Sequence, residues 1–202
     1  MILRSNPASP FVRKVRIAAS VLGLDDRINV VAADTGDPAD TLRKQNPLGK
    51  IPALVLDDGV VLYDSRVIVE YLDHLAGGGS LIPAEPEARF QALRLQALAD
   101  GVMDASVLLV YENRWRDADR REPKWVDHQS GKVERALAAL EASAAELAPR
   151  PQVGQIALAC ALGYRDFRFA GTWRSVYPRL VAFLDGFAAA VPAFAATRPP
   201  PA

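Results

Sequence analysis

Ser9 stands directly before Pro10-Phe11, and an apolar helical pattern begins at once. Two readings fit that position. Proline is at home in the first turn of a helix, so Ser9 can be a plain N-cap. Its hydroxyl can equally donate a hydrogen bond to a bound thiolate. A free thiol titrates near ~8.5 and is mostly protonated at neutral pH. Lowering that value by about two units takes roughly 2.7 kcal/mol. A charge-assisted hydrogen bond supplies about 1.5–3 kcal/mol, and a helix N-terminus adds about 0.3–1 kcal/mol. One hydroxyl at a helix start is therefore sufficient in magnitude.

Two further stretches carry polar groups in suggestive places. In Asn46-Pro47-Leu48-Gly49-Lys50-Ile51-Pro52-Ala53-Leu54, a proline immediately precedes an apolar strand. Proline cannot donate to a sheet ladder, and a cis bond there fixes a sharp turn. Ile51 is then left with a free N–H and C=O that can pair with an extended peptide. A loop proline without a ligand is the alternative. In Leu62-Tyr63-Asp64-Ser65-Arg66-Val67-Ile68, Asp64 and Ser65 sit where a strand gives way to a helix. The N–H groups of a helix start favour a carboxylate, and Asp64 can accept from an ammonium. Together they suit the head of an α-amino acid. An ordinary N-cap is the commoner use of these residues.

The elements that must position these groups follow from periodicity. Phe11, Val15, Ala18, Ala19 and Leu22 recur at helical spacing, and Gly23 ends the run. Ile28 to Val31 and Ala53 to Leu56 read as strands, and Asp57-Asp58-Gly59 turns the chain back into Val60-Val61-Leu62. A short surface helix is expected over 38–45. A longer one after Asp64 has Val67, Ile68, Tyr71, Leu72 and Leu75 on one face. The order is β-α-β-α-β-β-α over residues 1–76. Residues 77–86 are rich in Gly and Pro and read as a linker. The remainder, 87–202, is Ala- and Leu-rich with helical patterns over 87–115, 123–148, 154–167 and 176–190. The tail from Ala195 is expected to lie extended on the surface.

Composition narrows the function classes. Among 202 residues, 24 basic side chains balance 24 acidic ones, which gives no global attraction to nucleic acid or an anionic membrane. No apolar run approaches the roughly 18 residues of a membrane span. The start Met1-Ile2-Leu3-Arg4 lacks the apolar core of a signal peptide. A single cysteine, Cys160, forbids an intrachain disulfide and fits a reducing, cytoplasmic setting. With His74 and His128 as the two histidines, no metal site is expected. Cys160 falls within an apolar helical pattern and reads as a buried thiol. The basic cluster Arg114, Arg116, Arg120, Arg121 and Lys124 is interleaved with Asp117, Asp119 and Glu122, as a solvated face would be.

Taken in order and spacing, Ser-Pro-Phe-Val-Arg-Lys, Asn-Pro-Leu-Gly-Lys-Ile-Pro and Asp-Ser-Arg-Val-Ile resemble the N-terminal half of a cytosolic glutathione S-transferase. The Gly-rich linker and helical second half resemble that family too. Ser9 resembles the serine-type classes, and the segments at 97–105 and 156–169 look like a small bacterial subgroup. The resemblance implies a thioredoxin-like α/β domain followed by an all-α domain. It implies that Ser9 holds the glutathione sulfur and that Ile51 pairs with the cysteinyl backbone beside a cis Pro52. It further implies that Asp64 and Ser65 hold the γ-glutamyl head, with Lys50 near the glycyl carboxylate. A hydrophobic electrophile would lie among Phe11, Met103, Val107, Tyr111 and Tyr164, each of which also suits ordinary core. Val110 and Phe167 are further candidates. Asp100 would approach the axis of a homodimer. Glutathione would be co-substrate, without a metal. Conjugation is the expected activity, with peroxidase or thiol chemistry, or a non-catalytic binding module, as alternatives. One departure stands out: where the family carries a Ser/Thr-x-x-Asp capping box, this chain has Gln152-Val153-Gly154-Gln155. A weaker helix start is expected there.

Overall fold

The computed structural model describes residues 1–144, 147 and 151–200. The first strand, β1 (Ile2–Ser5), leads through a tight turn into helix α1 (Pro10–Val21). Strand β2 (Asn29–Ala32), a single-turn helix α2 (Leu42–Gln45), strands β3 (Ala53–Val55) and β4 (Val61–Leu62), and helix α3 (Ser65–Leu75) follow. The sheet runs β2-β1-β3-β4, with β1 parallel to β2 and antiparallel to β3. This is the thioredoxin-like arrangement. Only the end of the segment expected as a helix over 38–45 is helical. Arg4 holds its start, donating to Asp40, Thr41 and Gln45 at 2.7, 2.8 and 2.6 Å.

The helical part comprises α4 (Pro86–Trp115), α5 (Pro123–Ala142), α6 (Val153–Phe169), α7 (Pro178–Ala190) and α8 (Pro192–Ala196). Helix α6 is the axis: Val153 through Tyr164 are all buried. A Cβ on Gly154 would lie 2.8 Å from Leu95 Cβ and 2.9 Å from the Ala92 carbonyl, so only glycine lets α4 come this near. Among the described residues, no helix is long and apolar enough to cross a membrane.

Three expectations need correction. Val67 faces solvent, and Val69 takes the buried place on α3, because the buried arc follows Ile68, Val69 and Leu72. The tail does not run extended from Ala195: it begins as α8, with Phe194 and Thr197 buried. The second long helix ends at Ala142 rather than 148; residue 148 lies outside the described residues, as does Pro149.

The Gly-rich stretch after α3 is ordered by one buried carboxylate. Asp73 accepts from the backbone N–H groups of Gly79, Ser80, Leu81 and Ile82 at 3.0, 3.1, 2.7 and 3.4 Å. Removing it orphans the buried N–H groups of Leu81 and Ile82 and frees those of Gly79 and Ser80 to solvent. Asp73→Ala should lower the unfolding free energy by roughly 3 kcal/mol or more, read from urea denaturation. The start of α6 has the opposite scope for improvement. Gln152 makes no side-chain cap, and the buried Oε1 of Gln155 has no partner among the described residues. The Leu81 carbonyl takes the Val153 N–H at 3.0 Å instead. Gln152→Ser combined with Gln155→Asp should raise stability by about 1 kcal/mol in the same measurement.

Candidate functional site

The extended backbone at Ser9 (φ −81°, ψ 123°) makes it the N-cap of α1, and its hydroxyl oxygen accepts from the Val12 N–H at 3.3 Å. That bond uses an oxygen lone pair and leaves the hydroxyl hydrogen free to donate elsewhere. Ser9 lines a recess with Ala8, Pro10, Arg13, Cys160, Tyr164 and Pro199. Cys160 lies in it without exposed surface, and burial pushes its thiol up to about 12 against the opposing charge of Arg13. It is a structural thiol.

The turn before β3 is built by Asn46, whose side chain is buried. Its Nδ2 donates to the Lys50 carbonyl at 2.8 Å, and its Oδ1 accepts from the Leu48 N–H at 3.0 Å. Gly49 supplies the left-handed residue the turn requires (φ +61°). The Ile51–Pro52 bond is cis. The N–H and C=O of Ile51 have no partner among the described residues, so an extended edge is presented there. Lys50 is exposed beside it.

Asp64 caps α3, accepting from the Arg66 N–H at 2.9 Å, and Ser65 is buried at the first helical position. Arg66 turns to α4 and donates its Nε to Asp100 at 2.8 Å. Lys14 of α1 donates to both oxygens of the same carboxylate, at 2.8 and 3.0 Å. Lys14 is 0% and Asp100 1% exposed. The hydrogen bond to Asp100 is the chief cause that raises the Arg66 pKa. One turn on, burial first and then the charge of Asp100 raise the pKa of Asp104, opposed by Arg66 and Lys50. Two carboxylates, Asp64 and Asp104, thus share a region with two cations. The sequence reading missed Lys14, Arg66 and Asp104. The Asp64-Ser65-Arg66 run was the available signal for Arg66, but its partner on α4 is a matter of tertiary packing.

The expected wall residues divide. Phe11 and Val107 are half-buried, Tyr111 is 40% exposed, and Tyr164 is buried and lines the recess with Ser9. Met103 is sealed in the core with no exposed surface, because α4 turns that face inward with Ala99 and Val102. It cannot line an open pocket.

The fold and the order of the motifs agree with the family to which similar proteins belong. The family model for the glutathione S-transferase N-terminal domain matches residues 8–75, and that for the C-terminal domain matches residues 123–186. The chain is 33% identical to the uncharacterized GST-like protein YibF of Escherichia coli K12, with all of both chains covered. It is 29% identical to a maleylacetoacetate isomerase of Pseudomonas aeruginosa, covering 92% of this chain and 90% of that one. A glutathione transferase family member from Pseudomonas fluorescens Pf-5, solved with bound glutathione, superposes with a TM-score of 0.92 at 47% identity over 98% of each chain. A second structure from that organism holds S-(propanoic acid)-glutathione, with a TM-score of 0.89 at 47% identity, covering 99% of this chain and all of that one. With a full-length relative and both domain models in agreement, the chain belongs to the glutathione S-transferase family.

Proposed function

We propose that the protein is a serine-type glutathione transferase, in which Ser9 donates its hydroxyl hydrogen to the thiolate of bound glutathione. The observation that carries this reading is the division of labour at Ser9. Its oxygen caps Val12 N–H at 3.3 Å, while its hydrogen remains available at the positive end of α1. The bound thiolate attacks an electrophilic carbon of a hydrophobic molecule, and holding both reactants together supplies much of the rate. The Ile51 backbone pairs with the cysteinyl unit. The α3 start at Ser65 receives the γ-glutamyl carboxylate, Asp64 its ammonium, and Lys50 stands near the glycyl carboxylate. That a Pseudomonas fluorescens relative was solved with bound glutathione supports glutathione as the ligand.

Residues 1–76 form the glutathione-binding domain in this proposal, 77–86 the linker, and 87–202 the domain that takes the electrophile. Phe11, Val107, Tyr111 and Tyr164 supply the apolar wall. The enzyme works as a cytoplasmic homodimer. Exposed Val67 on α3 and Phe90 and Leu98 on α4 offer apolar surface for such an interface. A serine cannot form the mixed disulfide of thiol transfer, so conjugation is favoured over that chemistry. The isomerase relative favours a second reading, glutathione-dependent isomerisation on the same thiolate. Retention on glutathione-agarose without turnover of any electrophile would instead identify a binding module.

Ultraviolet titration of bound glutathione tests the role of Ser9. The thiol should ionise about two units below its free value of ~8.5 in the wild type and near the free value in Ser9→Ala. Conjugation of an aryl halide by Ser9→Ala should fall on the order of 10- to 100-fold with glutathione still bound. Equal midpoints in the two proteins would remove the hydroxyl from the mechanism.

Asp104 gives a pH test. Its carboxyl keeps its proton above the ordinary value of 3.8, so within that window the folded chain holds more protons than the unfolded one. Stability from this group therefore falls as pH rises through the raised pKa. Because Asp104 is an exposed residue, Asp104→Asn should stabilise the free protein only slightly at pH 7 and leave it unchanged near pH 3, measured by urea denaturation at both values. If Asp104 also faces the γ-glutamyl ammonium, the same variant should weaken glutathione binding at pH 7.

A further inference from the structure

The end of the chain is fastened to the helix that begins at Ser9. Arg13 of α1 is buried, and no carboxylate pairs with it among the described residues. Its partners come from α8 and the residue that follows it. Nη2 donates to the Phe194 carbonyl at 2.6 Å, and Nε donates to Thr197 Oγ1 at 3.4 Å. The guanidinium carbon lies 3.9 Å from the centre of the Phe194 ring. Thr197 Oγ1 in turn donates to the Ala193 carbonyl at 2.7 Å. Helix α6 leaves the room for this. A Cβ on Gly163 would stand 2.5 Å from Arg13 Nη1 and 3.2 Å from Phe194 Cζ. A buried cation held by a carbonyl, a hydroxyl and a ring loses all three if the tail lifts, so the tail is firmly placed.

Arg13 lies about one turn along α1 from Ser9, and its N–H donates to the Ser9 carbonyl at 3.1 Å. Just past Thr197, Pro199 is half-buried and lines the recess that Ser9 shares with Tyr164 of α6. With that ring in place the recess has no room for a water molecule. Ser9 itself keeps part of its surface exposed, so the closure is one-sided. Proline has no N–H to offer a ligand, and its ring is stiff. Pro199 therefore acts at this place by filling space.

We propose that the C-terminal tail, held on α1 by Arg13, limits the size of the electrophile at the sulfur, with Pro199 as the wall that closes the α6 side of Ser9. The preferred electrophiles are then compact at the reacting carbon, and a ring attached directly to that carbon is rejected. Arg13 acts through the tail and is a positioning residue. The inference rests on the glutathione reading, since Ser9 must hold the sulfur for Pro199 to stand beside the new bond.

Binding of two glutathione conjugates separates the two ideas. The probes are S-methylglutathione and S-benzylglutathione, titrated by calorimetry into the wild type, Pro199→Gly and Thr197→Val. The wild type should bind the benzyl conjugate no more tightly than the methyl one. Pro199→Gly removes the ring and keeps the Arg13 anchor. It should bind S-benzylglutathione about tenfold more tightly than the wild type does. Its affinity for S-methylglutathione should be unchanged, which also shows that the variant is folded. Thr197→Val takes one bond from the anchor and should shift the benzyl affinity the same way by a smaller factor. An unchanged benzyl affinity in Pro199→Gly, or an equal change for both conjugates, overturns the wall while leaving glutathione binding intact. A wild type that already favours the benzyl conjugate about tenfold overturns it too. If neither conjugate binds the wild type, the glutathione reading falls and the wall falls with it.

Discussion

A lysine without exposed surface is tolerated only where its charge is met, and the whole site is arranged around the place where that happens. Lys14 and Asp100 come from α1 and α4 and form a pair closed to water, with Arg66 of α3 completing it from the half-exposed side. Deleting one member would leave a buried charge alone, which typically costs about 3–5 kcal/mol. The pair therefore fixes three helices relative to one another. Two of them begin at the groups proposed to hold the ligand: α1 at Ser9 and α3 at Asp64 and Ser65. The ion pair sets how far apart the two helix N-termini stand, and a tripeptide spanning both is sensitive to that distance.

Both helix starts use the same economy. A cap residue needs only an acceptor lone pair to satisfy an N–H of the first turn. Ser9 caps Val12, and Asp64 caps Arg66 through one oxygen. A serine hydroxyl still has its hydrogen, and a carboxylate still has its second oxygen. Each can therefore hold its helix while facing a ligand. Capping and binding, which compete as readings of the sequence, are compatible in the folded protein.

The sheet, most helices and the turns around them were legible because their signals are local. Ala53 to Val55 is a short apolar run next to Pro52, Asp57-Asp58-Gly59 marks the reversal, and Gln152 fails visibly as a cap. What remained hidden depends on partners distant in the chain. Lys14 reads as a surface residue until Asp100, 86 positions away, meets it. Arg13 is buried because the Phe194 carbonyl and Thr197 receive it, 181 and 184 positions on. That same contact explains why the tail beyond Pro192 packs. Its small, proline-rich composition suggested a loose surface strand, but the guanidinium of Arg13 also lies 3.9 Å from the centre of the Phe194 ring. Met103 went the other way, since spacing along a helix 30 residues long cannot say which turn meets the core and which the cleft.

Net charge describes the chain as a whole and not the site. The formal charge of zero excludes a general attraction to polyanions. It says nothing about the place where the buried pair Lys14–Asp100 meets Arg66, with Asp104 one turn further along α4. Electrostatic effects there are enlarged by the lower effective dielectric. The direction of the Asp104 shift follows from burial and from Asp100 beside it, two terms that no sum over the chain contains. Neutrality overall is thus compatible with strong local fields wherever buried and half-buried charges meet.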